Sequence, residues 1–285
     1  MNFSDLKVFR AVALAGGITR AAGQLHRVPS NVTTRLRLLE ADLGTPLFLR
    51  HNKRLSITPA GQLLLGYAER ILSLTQEARD AMQDPAPRGA LRVGTMESTA
   101  ATRLPGPLAE FHRLYPQVTL ELSTGPTRPL VAQVLAGELD AALVADPAAD
   151  ERLASLQVFT EELVLVAEAG QPAIRSPKDV RQSTMLAFGS GCTYRRRLEA
   201  WFAAGGVNPQ RIVELSSYHA ILGCAVAGMG VALLPRGLLE IFPQRERLSV
   251  HALPAALGRT HTQLVWRKGA PSSNVVALAQ ILQAP

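Results

Sequence analysis

Between Ser30 and Arg37 the chain sets Ser30, Asn31, Thr33, Thr34, Arg35 and Arg37 in close succession. Such hydroxyls can reach phosphates or base edges, an asparagine amide suits adenine, and a guanidinium suits guanine or a phosphate, so the group has the chemistry to read a nucleic acid. Arg50, Lys53 and Arg54 add a second cluster of cations shortly afterwards. Further on, Ser98 and Thr99, and later Cys192, Thr193 and Tyr194, follow segments that read as strands. Helix starts at such places offer free amides and a positive dipole, which favour a small anion. Arg195, Arg196 and Arg197 could draw a carboxylate there, although one helix can aim only some of them at a cleft. Cys192 also raises a redox reading, because a thiol at a helix start can ionise more easily. Its distance in sequence from Cys224 favours a structural or cleft-lining thiol instead.

The N-terminal cluster needs a scaffold. Asp5 to Ala15 carries apolar residues at Leu6, Val8, Phe9, Val12 and Ala13, a helical spacing with Ser4 as candidate cap. Gly16-Gly17 breaks it, and Thr19 can cap a short second helix through Ala21, Ala22 and Leu25. After a turn at Arg27-Val28-Pro29, a third helix over Ser30–Glu40 points Val32, Leu36, Leu39 and Leu43 inward and leaves Asn31, Thr34, Arg35 and Leu38 outward, with Gly44 as its stop. Two helices about a tight turn are the unit that enters a DNA major groove. Leu47–Arg50 and Arg54–Thr58 read as two short strands around His51-Asn52-Lys53, a basic wing for the backbone or minor groove.

Charge agrees with this division. The first 60 residues hold nine basic and three acidic groups, which accounts for +6 of the net +7. A clustered excess suits a polyanion, although a membrane surface would attract it too. With 47% hydrophobic and 19% charged residues, the composition is that of a globular protein rather than a disordered or collagen-like one. The opening Met1–Lys7 lacks the apolar core of a secretory leader, so the expected compartment is the cytoplasm. Leu215–Pro235 carries no formal charge, but its glycines and His219 favour a buried helix and strand over a membrane span.

From Thr58-Pro59 a helical pattern runs unbroken to about Gln83. Leu64, Ala68, Ile71, Thr75, Ala78 and Met82 alternate by four and three, the seam of a coiled coil, which predicts a homodimer and an imperfect inverted repeat as its DNA target. The competing account is a helix packed on its own domain. Residues 84–89 then read as a hinge. Beyond them, strands at Ala90–Thr95, Val118–Leu122 and Leu139–Val144 alternate with helices, and a second series follows at Glu162–Ala167, Thr184–Phe188, Arg211–Ser216 and Val231–Leu234. Thr260–Trp266 and a last helix, Asn274–Leu282, return the chain to the first series. Two α/β lobes leave a cleft at the carboxyl ends of their strands, where ligands bind.

Enzyme signatures are missing. The chain has no Walker loop, no complete Gly-x-Gly-x-x-Gly, no His-Glu-x-x-His and no Gly-x-Ser-x-Gly, and its six histidines lack metal-ligand spacing. No catalytic residue, metal or cofactor is therefore expected. A receptor for a transported solute is a further alternative, against which the basic N-terminal unit counts.

The first 60 residues resemble the LysR-type transcriptional regulators. The matching positions are Asp5-Leu6, Phe9, Val12, Gly17, Thr19, Ala21-Ala22, Leu25, Val32, Arg35, Arg37, Leu39-Glu40, Leu43-Gly44, Pro46-Leu47-Phe48, Arg50, Leu55, Thr58 and Ala60-Gly61. The resemblance continues, more weakly, in Leu114–Val118, Gly137–Asp140, Val226–Ala232 and Leu234-Pro235. It implies that Ser30, Thr33, Thr34, Arg35, Arg50 and Lys53 face DNA; Thr19, Asn31, Arg37 and Arg54 complete the candidate set. Pro29 stands where the family commonly has glutamine, which removes one possible base contact. The resemblance further implies a domain like the periplasmic solute-binding proteins that senses a small effector through Ser98, Thr99, Thr127, Thr193 and Tyr194, with Cys192 beside them. It also implies contact with RNA polymerase and a homotetramer built as a dimer of dimers.

The expected fold is thus α/β with an N-terminal all-α winged helix-turn-helix, a long linker helix and a two-lobed effector domain. The boundaries are 1–58 for the winged unit, 59–83 for the dimerisation helix, 84–89 for the hinge and 90–285 for the effector domain. Lobe one takes 90–160 and 268–285, and lobe two 161–267.

Overall fold

The computed structural model describes residues 1–51, 54–83, 86–181, 184–269 and 271–284. They form two compact units, Met1–Pro85 and Ala86–Pro285.

In the first unit, α1 (Phe3–Ala15), α2 (Ile18–Gln24) and α3 (Pro29–Leu43) precede a hairpin of β1 (Phe48–His51) and β2 (Arg54–Ile57), and α4 (Pro59–Gln83) closes the unit. Leu6, Phe9, Val12, Ala21, Ala22, Val32, Leu36, Leu39 and Leu47 make the core. The two alanines let α2 approach its neighbours closely. Asn2, not Ser4, caps α1, in a reciprocal box with Asp5. Thr19 caps nothing either, because Gly17 occupies the cap position of α2. Pro29 is the first residue of α3, where its missing N–H costs nothing, and Gly44 ends the helix in the left-handed conformation at φ 66°. Leu43 is exposed rather than inward. Glu40 Oε1 accepts the amides of Leu47 and Phe48 at 2.8 and 3.1 Å, tying the end of α3 to the start of the wing.

Helix α4 has the expected limits, but only part of the expected seam is available to a partner. Ala68 and Leu72 are buried in the core of the same unit, with Leu64 packed beside them. The apolar row left exposed is Leu63, Tyr67, Ile71, Leu74, Ala78 and Met82. Spacing alone could not tell which of two adjacent rows α1 would cover. Thr58 caps α4 through its hydroxyl, which accepts the Gly61 amide at 2.9 Å and donates to the Pro46 carbonyl at 2.8 Å. Gly61 is obligatory: a Cβ there would stand 2.3 Å from the Leu47 carbonyl oxygen.

The second unit contains β3 (Gly89–Thr95), α5 (Glu97–Thr102), α6 (Pro105–Leu114), β4 (Val118–Thr124), α7 (Thr127–Ala136), β5 (Ala141–Ala145), β6 (Leu153–Glu168), β7 (Thr184–Ala187), α8 (Thr193–Ala204), β8 (Arg211–Glu214) and α9 (Tyr218–Val226). Then come β9 (Ala232–Pro235), α10 (Gly237–Glu240), β10 (Leu248–Ala252), α11 (Ala255–Gly258), β11 (Arg259–Arg267) and α12 (Ser273–Gln283). The large sheet has the order β10-β6-β11-β5-β3-β4, with β9 also on β6. Strands β3, β4 and β5 are parallel, whereas β11 runs antiparallel to β5 and β6. The parallel pair β7-β8 joins β9 through a bridge between Met185 and Val231. One lobe packs Leu91, Val93, Phe111, Leu143 and Leu264, and the other Leu163, Leu165, Met185, Phe202 and Leu234.

Three elements differ from the sequence reading. Strand β6 covers 16 residues rather than the apolar stretch 162–167 alone. Its first part pairs with β11 and its last part with β9 and β10, so one strand serves both lobes. Glu161 and Glu162 interrupt the apolar pattern, yet they are accommodated by arginines, Arg103 and Arg236 respectively. Strand β11 pairs Thr262–Trp266 with β5, which agrees with the return of Thr260–Trp266 to the first series but not with a lobe-two boundary as late as 267. The edge strand β10 was not expected, because it buries only Leu248 and His251.

Candidate DNA interface and ligand cleft

The outward face of α3 carries Ser30, Asn31, Thr34 and Arg37, all exposed, together with Leu38. Their spacing of three and four residues aligns them along one side of the helix. Two other members of the expected set are partly engaged within the unit. Thr33 donates its hydroxyl to the Pro29 carbonyl at 2.9 Å, and Arg35 Nη1 donates to Asp5 Oδ1 at 2.9 Å, which holds α3 against α1. Arg27, absent from the expected set, donates to Asn31 Oδ1 and to Ser4 Oγ at 3.4 Å each. That arrangement leaves the Asn31 amide hydrogens directed elsewhere as donors. Thr19 is exposed on α2. Arg50 and Arg54 lie on the paired wing strands, opposite Leu55 and His51. Lys53 lies outside the described residues.

In the second unit a cavity of about 630 Å³ is lined by residues from both lobes. Thr127 and Thr193, the first residues of α7 and α8, meet there: Thr193 Oγ1 donates to Thr127 Oγ1 at 3.3 Å. Both hydroxyls also approach the Ala145 carbonyl, at 3.1 Å from Thr193 and 3.3 Å from Thr127. The first turns of two helices thereby converge, and their leading amides have no intrahelical acceptor. Gly191, at φ 99°, packs against Pro126, Arg128 and Pro129 at the lobe contact; this backbone conformation strains any L side chain.

Directly after Ala145, Asp146 holds a left-handed backbone at φ 43°. Its carboxylate accepts from Thr260 Oγ1 at 3.0 Å and from Arg197 Nε at 2.9 Å. Arg197 also donates to the carbonyls of Leu257 and Arg259 at 3.0 and 3.1 Å. This arginine ties the α8 lobe to the crossover beside the cavity. Arg195 pairs with Glu199 and Glu214, while Arg196 is exposed. None of the three arginines lines the cavity.

Of the expected effector residues, Thr127, Cys192, Thr193 and Tyr194 line the cavity, and Ser98 and Thr99 do not. Those two are 1% exposed and lie behind the wall that Met96 and Glu97 form. Helix α5 begins at Glu97, so Ser98 and Thr99 fall within its first turn with their side chains buried. Glu97, Phe188, Glu214, Ser216 and Tyr218 were missed. The signal was available for Ser216 and Tyr218, which stand at the β8–α9 turn and so obey the same strand-end logic. The Glu97 carboxylate crosses to the other lobe and accepts the Tyr218 amide at 3.1–3.2 Å.

Electrostatics sharpen the picture. Burial pushes the Glu97 carboxyl above its ordinary range, against the opposing hydrogen bond from Tyr218 and the nearby His219. Burial also pushes the Cys192 thiol up; the amides of Arg195 and Tyr194 and the Arg195 and Arg196 charges oppose it without prevailing. A protonated thiol is a poor nucleophile, which disfavours the redox reading. Tyr194 is pushed up chiefly by burial, with Ser98 opposing. The hydroxyls of Tyr194 and Ser98 are both buried, and neither makes a hydrogen bond of good geometry. Among the described residues no group of histidine, cysteine or acidic side chains could hold a metal ion, and no helix is long and apolar enough to cross a membrane.

Comparison with known proteins agrees with both halves. Residues 3–62 match the model for the bacterial regulatory helix-turn-helix protein, lysR family, and residues 85–284 match that for the LysR substrate binding domain. The chain is 41% identical over 269 residues to the HTH-type transcriptional regulator GltR of Bacillus subtilis (strain 168), covering 94% of this chain and 91% of that one. It is 42% identical over 255 residues to the HTH-type transcriptional regulator YofA of Bacillus velezensis, covering 89% and 88%. In fold it resembles full-length CbnR complexed with its target DNA, with a TM-score of 0.70 at 24% identity over 99% of each chain. A full-length OxyR variant from Pseudomonas aeruginosa gives a TM-score of 0.70 at 24% identity, covering 99% of this chain and 95% of that one.

Proposed function

The chain belongs to the LysR family of bacterial helix-turn-helix transcriptional regulators, and we propose that it reads promoter DNA with α3 and the wing while the cavity between its lobes takes a small effector. The observation that carries the reading is the row Ser30, Asn31, Thr34 and Arg37, exposed along one side of a helix that follows a tight turn. In this reading α3 lies in the major groove, where these side chains meet bases and phosphates. The wing strands bring Arg50 and Arg54 to the backbone or minor groove beside it.

A second copy supplies the second half-site. The exposed row Leu63, Tyr67, Ile71, Leu74, Ala78 and Met82 on α4, spaced by four, four, three, four and four, forms one apolar stripe that a second copy can cover. Burying that row against its counterpart stabilises a homodimer, and the target becomes an imperfect inverted repeat. A homotetramer, formed as a dimer of dimers, and contact with RNA polymerase complete the proposal on the strength of the family resemblance.

The effector seats an anionic end at the first turns of α7 and α8, beside Thr127 and Thr193. Occupancy there changes the balance between lobe arrangements, because the ligand touches both lobes and binds one arrangement better than the other. Footprinting the full chain on the DNA upstream of its own gene, with and without candidate effectors, tests the reading. The expected result is a protected inverted repeat whose boundaries shift with ligand; Arg37→Ala weakens protection on all sequences alike. No protection at low salt, on its own promoter or on arbitrary duplex, overturns it.

A further inference from the structure

We propose that the effector is a small zwitterion, whose cationic group is held by Glu97 and whose anionic end sits at the first turns of α7 and α8. The inference rests on the cavity being the effector site. In the second unit, the described acids that are not fully exposed are Glu97, Glu110, Asp140, Asp146, Asp150, Glu161 and Glu199. Every one except Glu97 has an arginine within 3.5 Å. Glu97, with no arginine or lysine paired to it among the described residues, has instead the exposed His219 nearby and the Tyr218 amide at the start of α9, where a helix end supplies only about half a positive charge. A half-buried carboxylate left short of positive charge is costly, and a ligand cation beside it removes that cost.

The rest of the lining points the same way. No lysine, arginine or histidine lines the cavity among the described residues, while Glu214 stands at its wall and is already paired with Arg195. A plain anion would meet this negative wall. The rings of Phe188 and Tyr218, 4.7 Å apart and edge to face, also border the space, and aromatic faces attract cations. The anionic end then has the leading amides of two helices, beside the Thr127 and Thr193 hydroxyls that point at the Ala145 carbonyl.

The test is a thermal-shift and calorimetric screen of the full chain. Its probes are free α- and ω-amino acids, aminophosphonates and aminosulfonates, each beside the matching acid without the amine and the matching amine without the acid. At least one zwitterion is expected to bind at least tenfold more tightly than either truncated form. Glu97→Gln keeps an acceptor for the Tyr218 amide but removes the charge, and it should erase that preference; Glu97→Asp, which keeps the charge, should retain it. Equal binding of the acid with and without its amine, or an unchanged preference in Glu97→Gln, overturns the proposal and leaves the sensor reading standing. If no probe of any class binds, both fall.

Discussion

Thr193 and Thr127, 66 positions apart in sequence, share a hydrogen bond of 3.3 Å and converge on a single carbonyl, that of Ala145. The first turns of two helices from two lobes are thereby joined through one peptide group. Thr193→Val keeps the shape and removes the hydroxyl. It should lower stability by about 1 kcal/mol, the usual net worth of such a bond. The ligand-induced melting shift should fall more than this, and an undiminished shift would remove Thr193 from the effector site.

Arg197 anchors the neighbouring residue. Arg197→Ala leaves the strained Asp146 with Thr260 alone as side-chain partner among the described residues and frees the carbonyls of Ala256, Leu257 and Arg259, so urea denaturation should show a loss of about 2–3 kcal/mol for this partly buried pair. Arg197→Lys should recover less than half, since an ammonium cannot span a carboxylate and separate carbonyls as a guanidinium does. Full rescue by lysine would mean that charge alone matters there.

Two arginines on α3 should separate fold from recognition. Arg35→Ala breaks the pair with Asp5 and should cost about 1 kcal/mol of stability. Arg37→Ala should leave the melting temperature unchanged while weakening DNA binding and reducing the slope of log K against log salt by about one, as expected for one phosphate contact. Equal effects of both on melting would contradict the assignment.

His251 makes stability depend on pH. Its Nδ1 accepts the Ile174 amide at 3.1 Å, so the folded ring is neutral, and burial holds its pKa below the ordinary value. An unfolded chain binds the proton first as pH falls. The stabilisation is therefore complete above about pH 6.5 and is lost on acidification through the depressed folded value. Melting at pH 7.5 and 5.5 should show this fall, and His251→Asn should flatten part of it.

The α4 row gives a test of assembly. Leu74→Glu places a charge in the exposed row and should dissociate the oligomer in sedimentation experiments without unfolding the subunit. Leu72→Glu, two positions away in the core of the first unit, should unfold that unit instead. An oligomer that survives Leu74→Glu would move the interface elsewhere.

The winged unit was readable because local signals decide it. Gly16, Pro29 and Gly44 punctuate helices at fixed offsets, and apolar residues repeat with helical period between them. Caps were harder: Ser4 has a capping side chain, but α1 starts at Phe3, ahead of its apolar pattern, and Asn2 takes the cap position instead. The cleft was half legible. Thr193 and Tyr194 follow from a helix start at a strand end, and Thr127 came only with the family resemblance, whereas Ser98 falls in the first turn of α5 with its side chain buried rather than in the lining. Glu97 could not be found from sequence, because its missing counter-ion is a property of three-dimensional neighbours.

Helix α4 buries Ala68 and Leu72 against the same core that supports α1, while Tyr67 and Leu74 point away. It therefore cannot roll about its own axis without dragging the reading head along. On the proposed pairing through α4, any adjustment in how two such helices lean on each other would be geared directly to the span between grooves, and the partner's grip would set the gauge at which the pair straddles its duplex.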